Sequence, residues 1–361
     1  MEYIYNIHNL VRVTVDPRVK KWVFEQVDFQ IGYFKTAEAN ELKYEISIHP
    51  YEDHPGESEG RSSIFYRASF SPRNYLHAGQ DYLFVKKEMN GYSIFTDEPV
   101  LINLFIQLLL AREGITFVHA AAIAKPEGGV ILLPGAGGVG KTAIMGSMVK
   151  HEGYKLLGDD LVLLRSNGYA LSFPRPFILK EYHASVYQEL FNELKLGRKI
   201  GLTPRTVLKF LMKNAPFFDA IQKYLKKTKW YYRMATNLPL PDDYLAAVPV
   251  VRIFGESSVI SEGEIRDVVF LERYNGSDFE LFSTEEDRVI NRMFSIIHHE
   301  WADYLRFFFV FGSTEIDELA MYFRDINTVM KGAIHGKRCR ILRIPKDASP
   351  DEFYAYFKRM V

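Results

Sequence analysis

The sequence has little of several features that define whole classes of protein. Its single cysteine, Cys339, excludes an intramolecular disulfide and a CxxC metal or redox motif. Lysine plus arginine and aspartate plus glutamate each number 45, so no whole-chain charge favours nucleic acid or a membrane surface as partner. We find no internal repeats and no low-complexity tracts. With 47% apolar residues among 361, the chain is typical of a folded protein with a large core.

Long apolar runs are missing as well. The longest apolar stretch, Val100–Ala111, is interrupted by Asn103 and Gln107. The opening MEYIYNIHNLVRV lacks the basic start and continuous apolar core of a signal peptide. We therefore expect a cytoplasmic protein without a membrane partner.

What is present is a glycine-rich stretch, Gly135–Thr142, that fits the phosphate-loop pattern GxxxxGK(S/T). The apolar run Val130–Leu133 predicts a buried strand before it, and Ala143–Lys150 predicts a helix after it. The glycines let the backbone curl so that successive N–H groups face one anion at the helix N-terminus. In such a loop Lys141 reaches the β- and γ-phosphates and the Thr142 hydroxyl holds Mg²⁺. The predicted nucleotide contacts are Gly135, Ala136, Gly137, Gly138, Val139, Gly140, Lys141 and Thr142.

The chain before the loop predicts a β-rich N-terminal region, residues 1–97. Asn90-Gly91 lies between two alternating runs and is a good β-hairpin signal. A helix is predicted from about Glu98 to Arg112, followed by a strand over Thr116–Ala124 that forms a hairpin with the loop strand. The strand-like runs of the N-terminal region are Leu10–Val15, Tyr44–Ile48, Ser63–Ser69, Tyr82–Lys86 and Tyr92–Phe95.

Residues 98–361 are predicted to form one α/β domain with an insert at about 183–246. Further strands are expected at Val248–Phe254, Asp267–Arg273 and Cys339–Ile344. Two helices are expected at about Thr284–Phe308 and Thr314–Met330. Ser349 before Pro350 predicts the N-cap of a last helix.

The insert is mostly helical in pattern and locally basic. From Lys195 to Arg233 it carries eleven lysines or arginines and one acid, Asp219. This bias suits a solvated amphipathic face, and it equally suits a lid or docking surface for phosphates or an acidic peptide. Nucleic acid is not an expected partner, because no groove-reading motif accompanies the charge.

Two adjacent acids, Asp159-Asp160, lie inside an otherwise apolar strand-like segment soon after the loop's helix. A turn or an N-cap pair is the alternative, because Gly158 precedes them. Buried carboxylates are costly unless they are paired or bind a metal. At this place in the chain they can lie beside a Mg²⁺ ion at the loop. One acid can then hold the metal, together with Thr142, while the other accepts a proton from an attacking hydroxyl. Asp160 is our candidate metal ligand, and which acid acts as the base stays open.

These motifs, in this order, resemble the HPr kinase/phosphorylase superfamily, bacterial serine kinases related in fold to ATP-dependent phosphoenolpyruvate carboxykinase. The resemblance is carried by Val118–Ala124, Gly135–Thr142 and Leu157–Asp160. The segments Ser172–Phe177 and Leu271–Arg273 resemble stand-alone members of the group. The resemblance implies an α/β fold: a phosphate-loop kinase core with a mixed sheet of the HPr kinase type, extended here by the β-rich N-terminal region and the helical insert.

The same resemblance implies roles for individual residues. His119 would stabilise the transferring phosphate, Lys141 and Thr142 would hold nucleotide and metal, and Asp159 and Asp160 would supply the base and a metal contact. Arg175 or Arg273 could supply the cation that neutralises transition-state charge, and either could equally be a structural ion-pair partner. Glu181 is a weaker candidate for the acidic position that the EIRGLG segment supplies in the HPr enzymes. The EIRGLG segment of the HPr enzymes is not matched after the acidic pair, which argues against HPr as the acceptor and against a phosphorylase activity.

The sequence therefore predicts an ATP- and Mg²⁺-dependent kinase that phosphorylates a hydroxyl, with a serine of a peptide or protein as favoured acceptor. Two alternatives are kept. One is a nucleotide-binding regulatory protein without phosphoryl transfer, and the other is a kinase for a small-molecule hydroxyl. The resemblance also makes a homo-oligomer a possible state.

Overall fold

The computed structural model describes residues 2–38, 40–56, 63–65, 68–71, 75–100, 102–180, 187, 244–302, 305 and 321–361. The chain divides into one unit of residues 1–176 and 249–361 and a second unit of residues 177–248. The first unit contains two large mixed sheets and several helices, which confirms the mixed α/β class. Of the predicted basic insert, all but Tyr187 and residues 244–246 lies outside the described residues, as does Glu181.

The strands of the first unit are numbered in chain order together with those of the second. They are β1 Tyr3–Ile7, β2 Val11–Val15, β3 Lys35–Thr36, β4 Tyr44–His49, β5 Ser63–Phe65, β6 Ala68–Ser71, β7 Tyr75–Ala78, β8 Leu83–Glu88, β9 Gly91–Thr96, β10 Ile115–Val118, β11 Ala120–Ala124, β12 Val130–Pro134, β13 Lys155–Gly158, β14 Val162–Arg165, β15 Tyr169–Leu171, β16 Phe177–Lys180, β17 Tyr244–Val248, β18 Glu262–Tyr274, β19 Glu280–Ser283 and β20 Arg338–Pro345.

The helices follow the same order. They are α1 Lys21–Ile31, α2 Ile102–Ala111, α3 Lys141–Glu152, α4 Val250–Phe254, α5 Glu286–Glu300, α6 Tyr322–Ile334 and α7 Pro350–Met360, with single 3₁₀ turns at Gly32–Phe34, Tyr51–Asp53, Gly79–Asp81 and Glu256–Ser258.

The N-terminal sheet has the strand order β3-β1-β2-β4-β9-β8-β7-β6-β5. Its pairs are antiparallel except β2 with β4 and β4 with β9, which are parallel. Alternate residues of β2 and β4 are buried, as expected of a sheet with one face on a core. The predicted hairpin is confirmed: β8 and β9 pair up to Glu88 opposite Gly91, and Asn90 lies in the turn.

Helix α1 was not predicted within this β-rich region. Its buried residues include Val23, Val27 and Ile31, which recur every four positions and so form one apolar face. The pattern is present in the sequence, but it is short and lies between strand-like runs. Another side chain of this helix, Phe29, has its ring 5.1 Å from Cζ of Arg175.

Helix α2 links the two sheets of the first unit. It contacts β2 and β4 of the N-terminal sheet and also β10 and α6. Nine of its ten residues are buried, since neighbours cover it on all sides. The polar Gln107 is accommodated because its Oε1 accepts hydrogen bonds from the backbone N–H of Phe117, at 2.7 Å, and from Thr116 Oγ1. None of the helices in the described ranges is long and apolar enough to cross a membrane.

The core sheet follows the order β10-β14-β15-β18-β12-β11-β13, and β20 pairs with β18 and with β19. Strands β12, β18 and β20 run parallel, and β11 pairs antiparallel with β12, which confirms the predicted hairpin. Residues Thr116–Ala124, however, do not form the single strand that was predicted. The ladder breaks at His119, so that β10 pairs with β14 while β11 pairs with β12 and β13.

Two other local predictions are corrected. Asp159 and Asp160 do not lie inside a strand but in a bend between β13 and β14. Residues 250–254 form the short helix α4 instead of a strand, because Pro249 begins a helical turn and Gly255, with a φ of 81°, ends it. The last helix is confirmed, and Ser349 and Glu352 form a reciprocal capping box at its start.

Gly91 allows a close approach of β4 and β9. A Cβ atom at this position would lie 1.6 Å from the carbonyl oxygen of Glu45, which no side-chain movement can relieve. We expect Gly91→Ala to lower the free energy of unfolding by about 3 kcal/mol or more, since overpacking here forces the backbone to move. Urea unfolding followed by circular dichroism would measure the change.

The matched control is Gly32→Ala. At that position φ is −57°, and an added Cβ would meet only the Asp28 side chain at ordinary contact distance, 3.4 Å. This variant should be within about 1 kcal/mol of wild type. Equal stabilities for the two variants would show that β4 and β9 are not held as closely as described.

Candidate active site

The glycine-rich loop joins the buried strand β12 to helix α3. Gly138 and Gly140 have φ values of 80° and 104°, in the region where a side chain is strained. Gly135 meets a different constraint, because a Cβ there would lie 2.7 Å from the carbonyl oxygen of Leu271. Residues 136–138 are exposed, whereas Val139 is buried. The strand, loop and helix thus follow the order that the sequence predicted, with an exposed loop at the start of a helix.

Lys141, the first residue of α3, is only 6% exposed. Its Nζ donates hydrogen bonds to the carbonyl oxygens of Gly135, at 2.6 Å, and Ala136, at 2.9 Å. Nζ also lies 2.9 Å from Nε2 of His119. These three contacts give each ammonium hydrogen an acceptor. Burial lowers the pKa of Lys141, while the charges of Asp160 and Asp159 act in the opposite direction.

His119 is placed by the break between β10 and β11 and is 6% exposed. Because the Lys141 ammonium donates to Nε2, the ring proton is on Nδ1, which lies 3.4 Å from Oδ1 of Asp160. Burial lowers the pKa of His119, although the Asp160 charge opposes this. His119 is thus a neutral ring between a cation and a carboxylate.

The adjacent acids have different surroundings. Oδ2 of Asp159 accepts a hydrogen bond of 2.8 Å from Thr142 Oγ1, and its buried Oδ1 has no partner in the described part of the chain. Burial raises the pKa of Asp159 to about 7. Asp160 instead forms an ion pair of 2.6 Å with Arg175, and its side chain is 46% exposed. Burial would raise its pKa, but the charges of Arg175, His119 and Lys141 lower it.

The structure therefore brings together His119, Lys141, Thr142, Asp159, Asp160 and Arg175. Arg273 does not belong to this group. Its Nη1 donates hydrogen bonds to the carbonyl oxygens of Pro345, Lys346 and Ala348, and these bonds hold the connection between β20 and α7. Its other terminal nitrogen lies 3.8 Å from where a Cβ on Gly140 would lie, so Arg273 is next to the loop.

Sequence reasoning missed Glu300. This last residue of α5 points at the loop, with Oε1 3.9 Å from where a Cβ on Gly137 would lie, and its charge acts on both Lys141 and His119. No local pattern could have identified it, because more than 150 residues separate it from the loop. It makes a third carboxylate near the same lysine.

The donor set can be tested against the Mg²⁺ ion that the sequence predicted. Mg²⁺ binds hard oxygen ligands and usually takes only one or two from the protein, the rest being water and phosphate. A hydroxyl beside a carboxylate fits this requirement, and Thr142 with Asp159 provides it, the buried Oδ1 of Asp159 being without a partner among the residues that the structure describes. Within the described ranges, no group of three or more His, Cys, Asp or Glu is arranged to hold a metal.

Comparisons with known proteins add no assignment. A scan against protein-family models and a search of curated proteins found no match for this chain.

The pKa of Asp159 predicts an unusual pH dependence of stability. Because its pKa in the folded protein, about 7, lies above the ordinary 3.8, folding favours the protonated form. The free energy of unfolding should then fall as pH rises from about 4 to about 7. Asp159→Asn removes this loss, so without divalent cations we expect the variant to be more stable than wild type at pH 8 by about 1–3 kcal/mol, with no difference near pH 4. Chemical unfolding at both pH values measures this.

Asp160→Asn is the control, and its expected effect on the free energy of unfolding has the opposite sign. Its pKa in the folded protein is lowered, so its contribution to stability is present above pH 3.8 and is lost only as pH falls through the lower folded value. The variant should be less stable than wild type at pH 7 because Arg175 loses its charged partner. A destabilised Asp159→Asn at pH 8 would contradict the raised pKa of Asp159.

Proposed function

We propose that this protein transfers the γ-phosphoryl group of ATP to a hydroxyl group. The favoured acceptor is a serine of a peptide or protein, and the core is of the HPr kinase type. One observation carries the proposal: a buried lysine of the glycine-rich loop lies within hydrogen-bonding distance of a neutral histidine, and this histidine lies within ion-pairing distance of Asp160 in the acidic bend. The other acid of the bend forms a hydroxyl–carboxylate pair with Thr142. A loop that binds phosphate only as a structural anion needs neither the bend nor the histidine.

The positions support a division of roles at the loop. Exposed backbone of residues 136–138 and the N-terminus of α3 would bind phosphate oxygens. Lys141 now donates to two loop carbonyls and to His119, and it would exchange one of these acceptors for an oxygen of the transferring phosphate. Thr142 and Asp159 would hold Mg²⁺, which would supply positive charge to offset the charge of the phosphates.

The surroundings of the two acids favour Asp160 over Asp159 as the base. Asp160 is ionised and its side chain is 46% exposed, so an acceptor hydroxyl can reach it. In the transfer, the acceptor oxygen forms a bond to the γ-phosphorus while the bond from the γ-phosphorus to the β,γ-bridging oxygen breaks. ADP leaves with that oxygen, and Asp160 takes the hydroxyl proton. Arg175, already paired with Asp160, would offset charge on the same side. This assigns the metal to Asp159, whereas the sequence favoured Asp160.

Loss of the buried ammonium tests the core of the proposal. We expect Lys141→Ala to lower kcat/KM for ATP-dependent phosphorylation by about 100-fold or more, because it removes a preorganised donor to the transferring group. Lys150→Ala is the control, since Lys150 is an exposed lysine in the last turn of the same helix. Transfer of ³²P from ATP into peptides, proteins and metabolite extracts gives the measurement.

The products of that assay also decide between the alternatives. Tight ATP binding without ADP or any phosphorylated product would contradict the kinase and favour a nucleotide-binding regulator. Label found only in small metabolites would replace the protein or peptide acceptor with a small-molecule hydroxyl. Equal activities of Lys141→Ala and Lys150→Ala would remove the loop from the reaction.

The roles of the acids are separated by two variants. Asp160→Asn should lower kcat by about 100-fold or more while leaving the affinity for MgATP nearly unchanged, because it removes the proton acceptor and not a phosphate contact. Asp159→Asn should raise the Mg²⁺ concentration needed for half-maximal activity, because it removes a metal ligand. Steady-state kinetics at varied Mg²⁺ and ATP would measure both, and a reversed pattern would exchange the two roles.

A further inference from the structure

The segment that carries Arg175 is fixed to the core sheet on one side. The backbone N–H of Phe173 donates to the carbonyl oxygen of Leu157 in β13, at 2.8 Å, and that of Ser172 donates to Ser261, at 2.7 Å. The Phe173 side chain is fully buried, and its ring lies edge-on to Phe117 at 4.7 Å. These contacts place the backbone of the segment, but none of them sets the direction of the Arg175 guanidinium.

On its other side the segment is covered by the N-terminal region. Nε2 of His8, in the turn between β1 and β2, donates to the carbonyl oxygen of Ser172 at 2.7 Å. The ring of Phe34, just after α1, lies 5.3 Å from that of Phe173 and 5.5 Å from that of His8. The N-terminal region therefore contacts the same few residues as the core.

The guanidinium of Arg175 lies between the two regions. Its Nη1 donates to Asp160, while its buried Nε has no hydrogen-bond partner among the residues described. The ring of Phe29, on α1, lies 5.1 Å from Cζ of Arg175. An aromatic face at this distance attracts a guanidinium and favours one orientation of its plane. The side chain of Arg175 is 18% exposed, so little water competes with the ring.

We propose that Phe29 of helix α1 is a positioning residue for the phosphoryl-transfer site, acting through the cation–π contact that orients Arg175 toward Asp160. The inference rests on the proposed function, and it gives the N-terminal region an indirect role in the reaction. Phe29 touches none of the reacting groups itself. Without its ring, Arg175 keeps its charge and its backbone position but loses one of the two contacts that direct the guanidinium among the described residues.

Phe29→Leu tests this role, because leucine keeps an apolar side chain and removes the aromatic face. We expect kcat to fall by about 10- to 100-fold while KM for MgATP changes less than about 2-fold, since a misdirected charge affects the transfer more than nucleotide binding. Phe29→Tyr, which keeps the face, should restore most of kcat. Arg175→Lys should lose activity to a similar degree, and combining it with Phe29→Leu should add little further loss.

The matched control is Phe24→Leu. Phe24 lies on the same helix and also faces a cation, Lys35 of β3, at 5.1 Å. Among the described residues, neither Phe24 nor Lys35 forms a ring contact, hydrogen bond or ion pair with the Arg175 segment. The kcat of this variant should equal that of wild type. Arginine side-chain ¹⁵Nε–¹Hε spectra add a readout independent of turnover: the Arg175 signal, assigned with Arg175→Lys, should shift in Phe29→Leu and stay in place in Phe24→Leu.

The outcomes separate the two proposals. Active wild type with equal kcat for Phe29→Leu and Phe24→Leu would overturn the positioning role and leave the proposed function intact. An unshifted Arg175 signal in Phe29→Leu would overturn the contact itself. Wild type without phosphoryl transfer would overturn the proposed function, and the positioning role with it, whatever the spectra show.

Discussion

The buried ammonium of Lys141 is the interaction on which the rest of the site depends. A cation that is 6% exposed is costly unless its N–H groups and its charge are both satisfied. Its acceptors come from the loop and from His119, and its opposing charges come from Asp159 and Asp160. The loop, the break between β10 and β11 and the bend after β13 must therefore meet at one point. The break between β10 and β11 supplies His119, and the bend after β13 supplies Asp159 and Asp160. Both interruptions of the core strands thus place polar groups around the buried ammonium.

Asp159 and Asp160 show how adjacent residues acquire opposite properties. One side chain turns inward to Thr142, where burial raises its pKa, and the other turns toward Arg175 and His119, where positive charge lowers its pKa. Pairs of acids whose pKa values are pushed apart are typical of sites in which one carboxyl group must stay ionised. The bend makes this possible, because two successive residues of a regular strand would point to opposite faces of the sheet. A continuous strand would have placed only one acid at the site.

Sequence reasoning succeeded where the signal is local. The Asn90-Gly91 hairpin, the helix after the glycine-rich loop and the cap at Ser349 each depend on residues within a few positions of one another. It was wrong at His119, where tertiary contacts break an apolar strand in two, and at residues 250–254, where flanking Pro and Gly outweigh β-branched composition. Helix α1 was missed although its apolar spacing is visible, because one short amphipathic segment among strand-like runs is weak information by itself.

In the candidate site as well, the residues with a local sequence signal were predicted and those placed by distant packing were not. Lysine, threonine, histidine and paired acids are visible in the sequence, because chemistry requires these types and their backbone context is nearby. Glu300 and Phe29 are not visible, because their places follow from packing between elements more than 100 residues apart. A charged catalytic residue is part of a recognisable sequence motif. The apolar surface that orients it can be any aromatic side chain in the right position, so no motif marks it. Motifs alone therefore assign the N-terminal region no part in the chemistry, although the orientation of Arg175 depends on both regions.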